Sequence, residues 1–310
     1  MELKLVYLGT PEFAVPPLEA LIRAGHRIAA VYTQPDRPKG RGQAMAASPV
    51  KESALAHGLD VRQPERIRRS EVVEELRALA PDAMAIVGYG QIIPQSIIDI
   101  PRLGIINVHA SLLPAYRGAA PIQWAIANGE TRTGVTTMRI DAGLDTGDML
   151  LRWETAIGPE ETSPELGSRL AAAGASLLVE TLRGLDAGEI TPEPQDDSRA
   201  TLAPILKKED GRVDWTWPAA RIHARCRGFE PWPGTFAELR GQPIHIWRCR
   251  PVERQGGEAP GTIVTDRKRL LVSTGDGAIE LLEVQLQGKK RISGEAFRNG
   301  QRLLDNERLA

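Results

Sequence analysis

The feature that most constrains this chain is an alternation kept up through residue 183, in which short apolar runs end in turns and are followed by stretches of helical period. Leu3–Leu8, Ile28–Thr33, Ala83–Val87, Ile105–Val108 and Gly134–Ile140 are short and turn-bounded, so they read as buried strands. Between them Pro16–Ala24, Pro49–His57, Ser70–Leu79 and Ala120–Asn128 read as helices, the third with Ser70 as its N-cap. Met149–Ala156 is expected as an edge strand and Ser163–Leu182 as a long helix. Strands alternating with helices predict an α/β fold, a doubly wound, mostly parallel, Rossmann-like sheet. The opening strand, the Gly9-Thr10-Pro11 turn and the helix after it look like a nucleotide-binding unit. Yet neither G-x-G-x-x-G nor a G-x-x-x-x-G-K-[ST] loop occurs there, so no nucleotide cofactor is implied.

Beyond Asp186 the pattern lapses into Pro192, Pro194, Pro204 and acidic residues, the composition of a linker over 186–206. A helix at Pro218–Cys226 follows. Short strands at Thr235–Leu239, Ile244–Arg248, Gly261–Thr265, Arg269–Ser273 and Ile279–Val284 then predict a small, OB-like β-barrel. Two domains, 1–185 and 207–310, suit 310 residues at about 150 per domain. In the Pro-Trp-Pro-Gly-Thr-Phe run, Trp232 and Phe236 are expected as core, with stacking on a base as the other reading.

Composition narrows the class further. Hydrophobic residues at 42% and charged residues at 25% are those of an ordinary soluble protein. No apolar run approaches the roughly 20 residues that span a bilayer, and a strand follows Met1 where a signal peptide would lie. Cys226 and Cys249 lack any zinc or redox spacing, so a reduced, cytoplasmic setting is expected. Residues 1–206 hold 20 basic against 26 acidic side chains, a net of −6, and residues 207–310 hold 19 against 14, a net of +5. That asymmetry points to a polyanionic partner on the back half, or to an ordinary surface.

The chemistry concentrates between Gly104 and Asp148. Asn107 and His109 stand two apart at the end of an apolar strand, so in extended backbone they face the same side. One is an uncharged donor and the other a proton carrier. Asp145, in a Gly-Leu-Asp-Thr-Gly-Asp turn after the next strand, is a third partner, with Asp141 and Asp148 as competitors. Asn, His and Asp without a nucleophilic Ser or Cys suggest acyl transfer with no covalent enzyme intermediate. Around this centre, the 34–48 segment reads as a long exposed loop whose Arg37, Lys39 and Arg41 contact RNA or simply face solvent. Gly88-Tyr89-Gly90 is a tight turn or a place where backbone approaches a flat ring. Ser111-Leu112-Leu113-Pro114 is a stiff loop.

The run N-V-H-A-S-L-L-P-x-Y-R-G followed by G-L-D-T-G-D resembles the signature of the 10-formyltetrahydrofolate-dependent formyltransferases. From its GTPEFA start to its C-terminal domain, the chain is most similar to the branch whose acceptor is initiator methionyl-tRNA. The resemblance implies 10-formyltetrahydrofolate as co-substrate, tetrahydrofolate as product, no metal, and a monomer. It implies catalytic roles for Asn107, His109 and Asp145, and folate contacts at Ser111, Leu112, Leu113, Pro114, Tyr89 and Gly90. It further implies that the Arg37, Lys39, Arg41 loop enters the acceptor stem and that the barrel binds tRNA, although Gln43 and Ala44 stand where the family often adds lysines. The rivals are formyl transfer to glycinamide ribonucleotide or an amino sugar, hydrolysis of the folate, and a non-catalytic RNA-binding module.

Overall fold

The computed structural model describes residues 2–39, 44–253, 257–266, 269–304 and 307–310. Its first half is wound around a sheet, and the elements run β1 (Lys4–Gly9), α1 (Val15–Arg23), β2 (Arg27–Tyr32), β3 (Arg37–Lys39), β4 (Ala44–Ala46), α2 (Pro49–Ala56), β5 (Val61–Arg62), α3 (Ser70–Leu79), β6 (Ala83–Val87), α4 (Gln95–Ile98), β7 (Ile105–His109), α5 (Pro121–Ala127), β8 (Arg132–Arg139), β9 (Met149–Ala156) and α6 (Ser163–Asp186). The strand order is β5-β2-β1-β6-β7-β8-β9, with β9 at the edge. The strands from β5 to β7 pair in parallel, and β8 turns back antiparallel to β7. β6 and β7 are buried along their whole length, as strands covered on both faces must be. Val6, Leu8, Tyr32, Met84, Ile86 and Ile105 pack in one core with Val72, Val73 and Leu76 of α3.

Two local expectations change. Ser70 is the first helical residue of α3, and the extended Arg69 is its N-cap without a side-chain bond. The Ser70 hydroxyl instead faces the Glu71 carboxylate at 3.4 Å. The 34–48 segment is not simply loop, because Arg37, Pro38 and Lys39 pair antiparallel with Ala46, Met45 and Ala44. Main-chain hydrogen bonds need no hydrophobic period, so the sequence carried no sign of this hairpin. Arg41 lies outside the described residues.

The second half continues with α7 (Ala219–Gly228), β10 (Thr235–Leu239), β11 (Gln242–Val252), β12 (Ile263–Asp266), β13 (Arg269–Ser273), β14 (Ala278–Leu286), β15 (Ile292–Ser293) and α8 (Gly294–Gln301). The antiparallel order is β10-β11-β14-β13-β12, with β15 on β14. β11 outruns its expected span because its register shifts around Arg248, and the polar Arg-Cys-Arg-Pro run after the shift still pairs with β14. Residues 307–310 close the sheet. The Ile263 N–H donates to the Glu307 carbonyl at 2.7 Å, Leu309 to Gly261 at 2.9 Å, and Glu238 and Ala310 exchange bonds of 2.8 and 2.9 Å. The segment thus bridges β10 to the start of β12, which removes edges that would otherwise be open to pairing. Trp232, expected as core, is 54% exposed.

Two compact units emerge, and they do not follow chain order. The first comprises residues through Pro121, Thr133–Thr155 and Gly167–Pro204; the second comprises Ile122–Arg132, Ala156–Leu166 and Ile205–Ala310. Most of the segment expected as a linker therefore counts with the first unit. It pairs there through isolated bridges, Met149 with Glu193 and Arg117 with Leu202, which use main-chain groups the prolines leave free. Leu309 is 3% exposed and belongs to the second unit's core with Leu239, Ile263 and Trp215. Leu309→Ala should cost about 3 kcal/mol, read by urea unfolding on the fluorescence of Trp215 and Trp217. A loss under about 1 kcal/mol would show that the closing segment carries no packing load.

Candidate active site

The site is built where β7 ends. Alternation along β7 turns Asn107 and His109 to one side, and both are buried. β6 supports the strand on one flank, Ile86 opposite Asn107, and β8 on the other, Met138 opposite Asn107 and Thr136 opposite His109. The chain then folds through Ser111–Gly118. The Thr136 hydroxyl donates to the Ser111 carbonyl at 2.8 Å and accepts from Leu113 N–H at 3.2 Å, while the Ser111 hydroxyl donates to the Ala115 carbonyl at 2.6 Å. The stiffness expected of this loop has these causes.

Asp145 arrives from the loop between β8 and β9. That loop is closed by Arg139 N–H to the Asp148 carbonyl at 2.9 Å, and the Asp141 carboxylate holds its interior by accepting from Gly143 N–H and the Thr146 hydroxyl. Asp141, a competitor for the chemical role, is thereby a turn-forming residue. The Asp145 carboxylate accepts from Gly118 N–H at 2.9 Å, faces Asn107 Nδ2 at 3.5 Å and lies 3.7 Å from His109 Nδ1. The last distance is too long for a hydrogen bond, and the contact is an ion pair when His109 is protonated. Gly118 has φ +122°, and a Cβ there would fall 2.6 Å from the Ala203 carbonyl oxygen, so only glycine presents this N–H. Asp145 itself sits at φ +53°.

One hydrogen bond fixes how the imidazole can work. His109 Nε2 lies 2.9 Å from the Tyr116 carbonyl, which can only accept, so Nε2 carries a hydrogen and Nδ1 is the nitrogen that faces Asp145. The neutral ring therefore offers its lone pair at Nδ1, and the protonated ring would donate from that atom to the carboxylate. Asn107 adds an uncharged N–H donor beside it. The set can hold a developing oxyanion and move one proton.

The other expected residues divide. Tyr89 follows β6, but its ring is buried in the first unit's core, where burial pushes the phenol pKa up. Its carbonyl accepts from Thr10 Oγ1 and Gln34 Nε2, each at 3.1 Å, and the exposed groups of the turn are Gly88 and Gly90. Leu112, Leu113 and Pro114 line a cleft of about 410 Å³ with Arg152 and Arg199. A larger cleft, about 630 Å³, lies in the second unit beside Trp215, Trp217 and Arg225 and holds none of the three site residues. Arg37 reaches Gln34 at 3.4 Å in the exposed hairpin. Sequence reasoning missed the Tyr116 carbonyl, the Gly118 N–H and Gln195, whose amide nitrogen reaches the carbonyls of Asp145 and Gly147, both at 2.8 Å. A lone glutamine in a proline-rich stretch carried no signal.

Comparison with known proteins bears on this geometry. The formyl transferase family model matches residues 3–182, and the model of the formyl transferase C-terminal domain matches residues 205–302. A methionyl-tRNA formyltransferase of Solibacter usitatus is 67% identical over 99% of this chain and 98% of its own, and one of Koribacter versatilis is 58% identical over 96% of each. Among solved structures, an N-formyltransferase from Helicobacter canadensis in complex with folinic acid and dTDP-3-aminofucose has a TM-score of 0.67 at 17% identity, covering 91% of this chain and 99% of that one. Glycinamide ribonucleotide transformylase 1 from Symbiobacterium toebii covers 63% of this chain and 95% of its own, with a TM-score of 0.52 at 22% identity. At such identities the structures establish the fold alone, whereas the near-complete sequence relationship establishes more: the chain belongs to the formyl transferase family, among the methionyl-tRNA formyltransferases.

Proposed function

We propose that the protein transfers the formyl group of 10-formyltetrahydrofolate to the α-amino group of methionine carried by initiator tRNA, as a step of translation initiation. The observation that carries this reading is the 67% identity over 99% of the chain, which spans both the loops holding the three site residues and the C-terminal sheet. The free, buried thiols of Cys226 and Cys249 suit action in a reducing cytoplasm. Among the described residues, no helix is long and apolar enough to cross a membrane.

A free α-amine titrates near pH ~8, so a fraction is neutral and nucleophilic under ordinary conditions. Its nitrogen attacks the formyl carbon, a new C–N bond forms, and negative charge grows on the formyl oxygen. Asn107 donates to that oxygen, a contribution worth roughly 3 kcal/mol for one good donor. His109 takes the proton lost by the amine at Nδ1, with the Asp145 carboxylate 3.7 Å away to stabilise the imidazolium. The same proton then passes to N10 as the bond from the formyl carbon to N10 breaks. Tetrahydrofolate departs with its proton and the acceptor keeps the formyl group.

The folate would lie against the Ser111–Pro114 segment and the Gly88–Gly90 turn. Since the Ser111 hydroxyl is spent on Ala115 and the Tyr89 ring is buried, main-chain groups and the apolar edges of Leu112 and Pro114 would make the contacts. Arg37 of the hairpin, together with Lys39, Arg41 and the basic 207–310 half, would meet the tRNA.

Asn107→Ala and Asp145→Asn should each lower kcat by about 100- to 1,000-fold, with little change in folate affinity by fluorescence titration. Near-normal turnover in either would remove that residue from the mechanism. Assayed side by side, initiator methionyl-tRNA should be formylated far faster than elongator methionyl-tRNA, free methionine or water. Equal rates would favour a hydrolase or a different acceptor. Arg37→Ala should raise KM for tRNA and flatten its salt dependence by about one phosphate contact, leaving KM for folate unchanged.

A further inference from the structure

The proline-rich segment that ends the first unit contains a contact that no step above uses. Gln195 directs both hydrogens of its amide nitrogen at one loop, at the Asp145 and Gly147 carbonyls, each 2.8 Å away. Its amide oxygen accepts from Arg117 Nε at 3.0 Å. This pattern allows one orientation of the amide, because the flipped form would set its oxygen against two carbonyls and its N–H groups against a guanidinium. Arg117 is buried at 7% exposure, and its remaining fork reaches Asp197 at 2.7 Å. Its main chain is fixed as well, accepting from Ala203 N–H at 2.7 Å and donating to the Thr201 carbonyl at 2.8 Å.

Asp145 is thus gripped at both ends by two consecutive residues. Gly118 N–H holds the carboxylate, and the Arg117 side chain holds the main chain through Gln195. The grip matters because Asp145 lies in an exposed, glycine-bearing loop at a left-handed φ, where a non-glycine residue stays only if its surroundings insist. We propose that Gln195, oriented by Arg117, is a positioning residue that sets the Asp145 carboxylate against Asn107 and His109, acting on turnover through Asp145 alone. This rests on the catalytic reading of Asp145 given above.

Two variants test it in the full-length protein. Gln195→Met keeps length and removes every hydrogen bond, while Gln195→Glu keeps an acceptor for Arg117 and turns a carboxylate toward two carbonyl oxygens. Both should lose about 10- to 100-fold in kcat, the scale of a catalytic group misplaced by about 1 Å. KM for folate and for methionyl-tRNA should stay within about threefold of the parent. In the double variant Asp145→Asn/Gln195→Met, turnover should match Asp145→Asn alone within about twofold, since a residue acting through Asp145 has nothing left to position. Parental kcat in the single variants, a loss confined to KM, or additive losses in the double variant would overturn the proposal. Full activity in Asp145→Asn alone would overturn it too, and would locate the failure in the catalytic reading instead. Should Gln195→Met fail to fold by circular dichroism, Gln195→Glu, alone and with Asp145→Asn, carries the same comparisons.

Discussion

The arrangement of the site depends on three consecutive residues, Tyr116, Arg117 and Gly118, and on how their backbone is tied down. Tyr116 at φ +62° and Gly118 at φ +122° turn successive peptide groups different ways, so that one carbonyl meets His109 and one N–H meets Asp145. A tyrosine in that region costs on the order of 1–3 kcal/mol. The offset is a ladder to residues 201–203: Tyr116 N–H to the Thr201 hydroxyl at 2.8 Å, Arg117 N–H to the Thr201 carbonyl, and Ala203 N–H to the Arg117 carbonyl. At roughly 1 kcal/mol net for each bond, the ladder is of the size needed to hold the strained turn. A stretch that looks like a tether is therefore the support on which the site's geometry stands.

What the sequence made legible is what periodicity can carry. Buried strands announce themselves as apolar runs, and Ala83–Val87 and Arg269–Ser273 were bounded to the residue, as was the edge strand Met149–Ala156. Two-residue alternation also placed Asn107 and His109 on one side, since a strand has no other way to dispose them. The rest has no period. Gln195, the Tyr116 carbonyl and the Gly118 N–H act as single hydrogen-bonding groups in irregular backbone, and a main-chain carbonyl has no letter in the sequence. The same gap explains residues 307–310, whose pairing depends on where two distant strands end. Ser70 shows a narrower failure, because Ser serves at N-cap and at the first helical position alike, and only the extended backbone of Arg69 decides between them.

In the second unit, closure of the sheet determines what kind of surface remains. The outer side of β10 is occupied by Ala310 and by Val213, whose N–H donates to the Phe236 carbonyl at 2.9 Å, and the entry to β12 is taken by Glu307 and Leu309. Addition of a further strand is disfavoured at such edges, so the surface this unit offers is one of side chains. The available ones are cationic and aromatic. Arg221 and Arg225 lie 4.2 and 4.5 Å from the centre of the Trp217 ring, and Arg291 lies 4.9 Å from that of Trp247. Stacking is not their sole restraint: Arg291 also pairs with the Glu283 carboxylate at 2.6 Å, and Arg225 donates to the Asp210 carbonyl at 2.9 Å, so these guanidinium groups are held in fixed directions on the indole faces.

The division of labour at the site follows from what each group can and cannot do with a proton. Formyl transfer between nitrogens needs one negative oxygen held and one proton carried from the incoming amine to the departing one. Asn107 has no proton to lose, so its donor capacity is the same whatever the state of its neighbours, which suits it to the oxygen. His109 has its Nε2–H committed to Tyr116, leaving a single exchangeable position at Nδ1. Asp145 stands opposite that position, its carboxylate 3.7 Å from Nδ1. On the proposed mechanism, a carboxylate displaced from this place would leave the imidazolium without its counter-charge. Hence the loop carrying Asp145 is bonded at its main chain and at its carboxylate, while its glycines allow the close turns that bring it there.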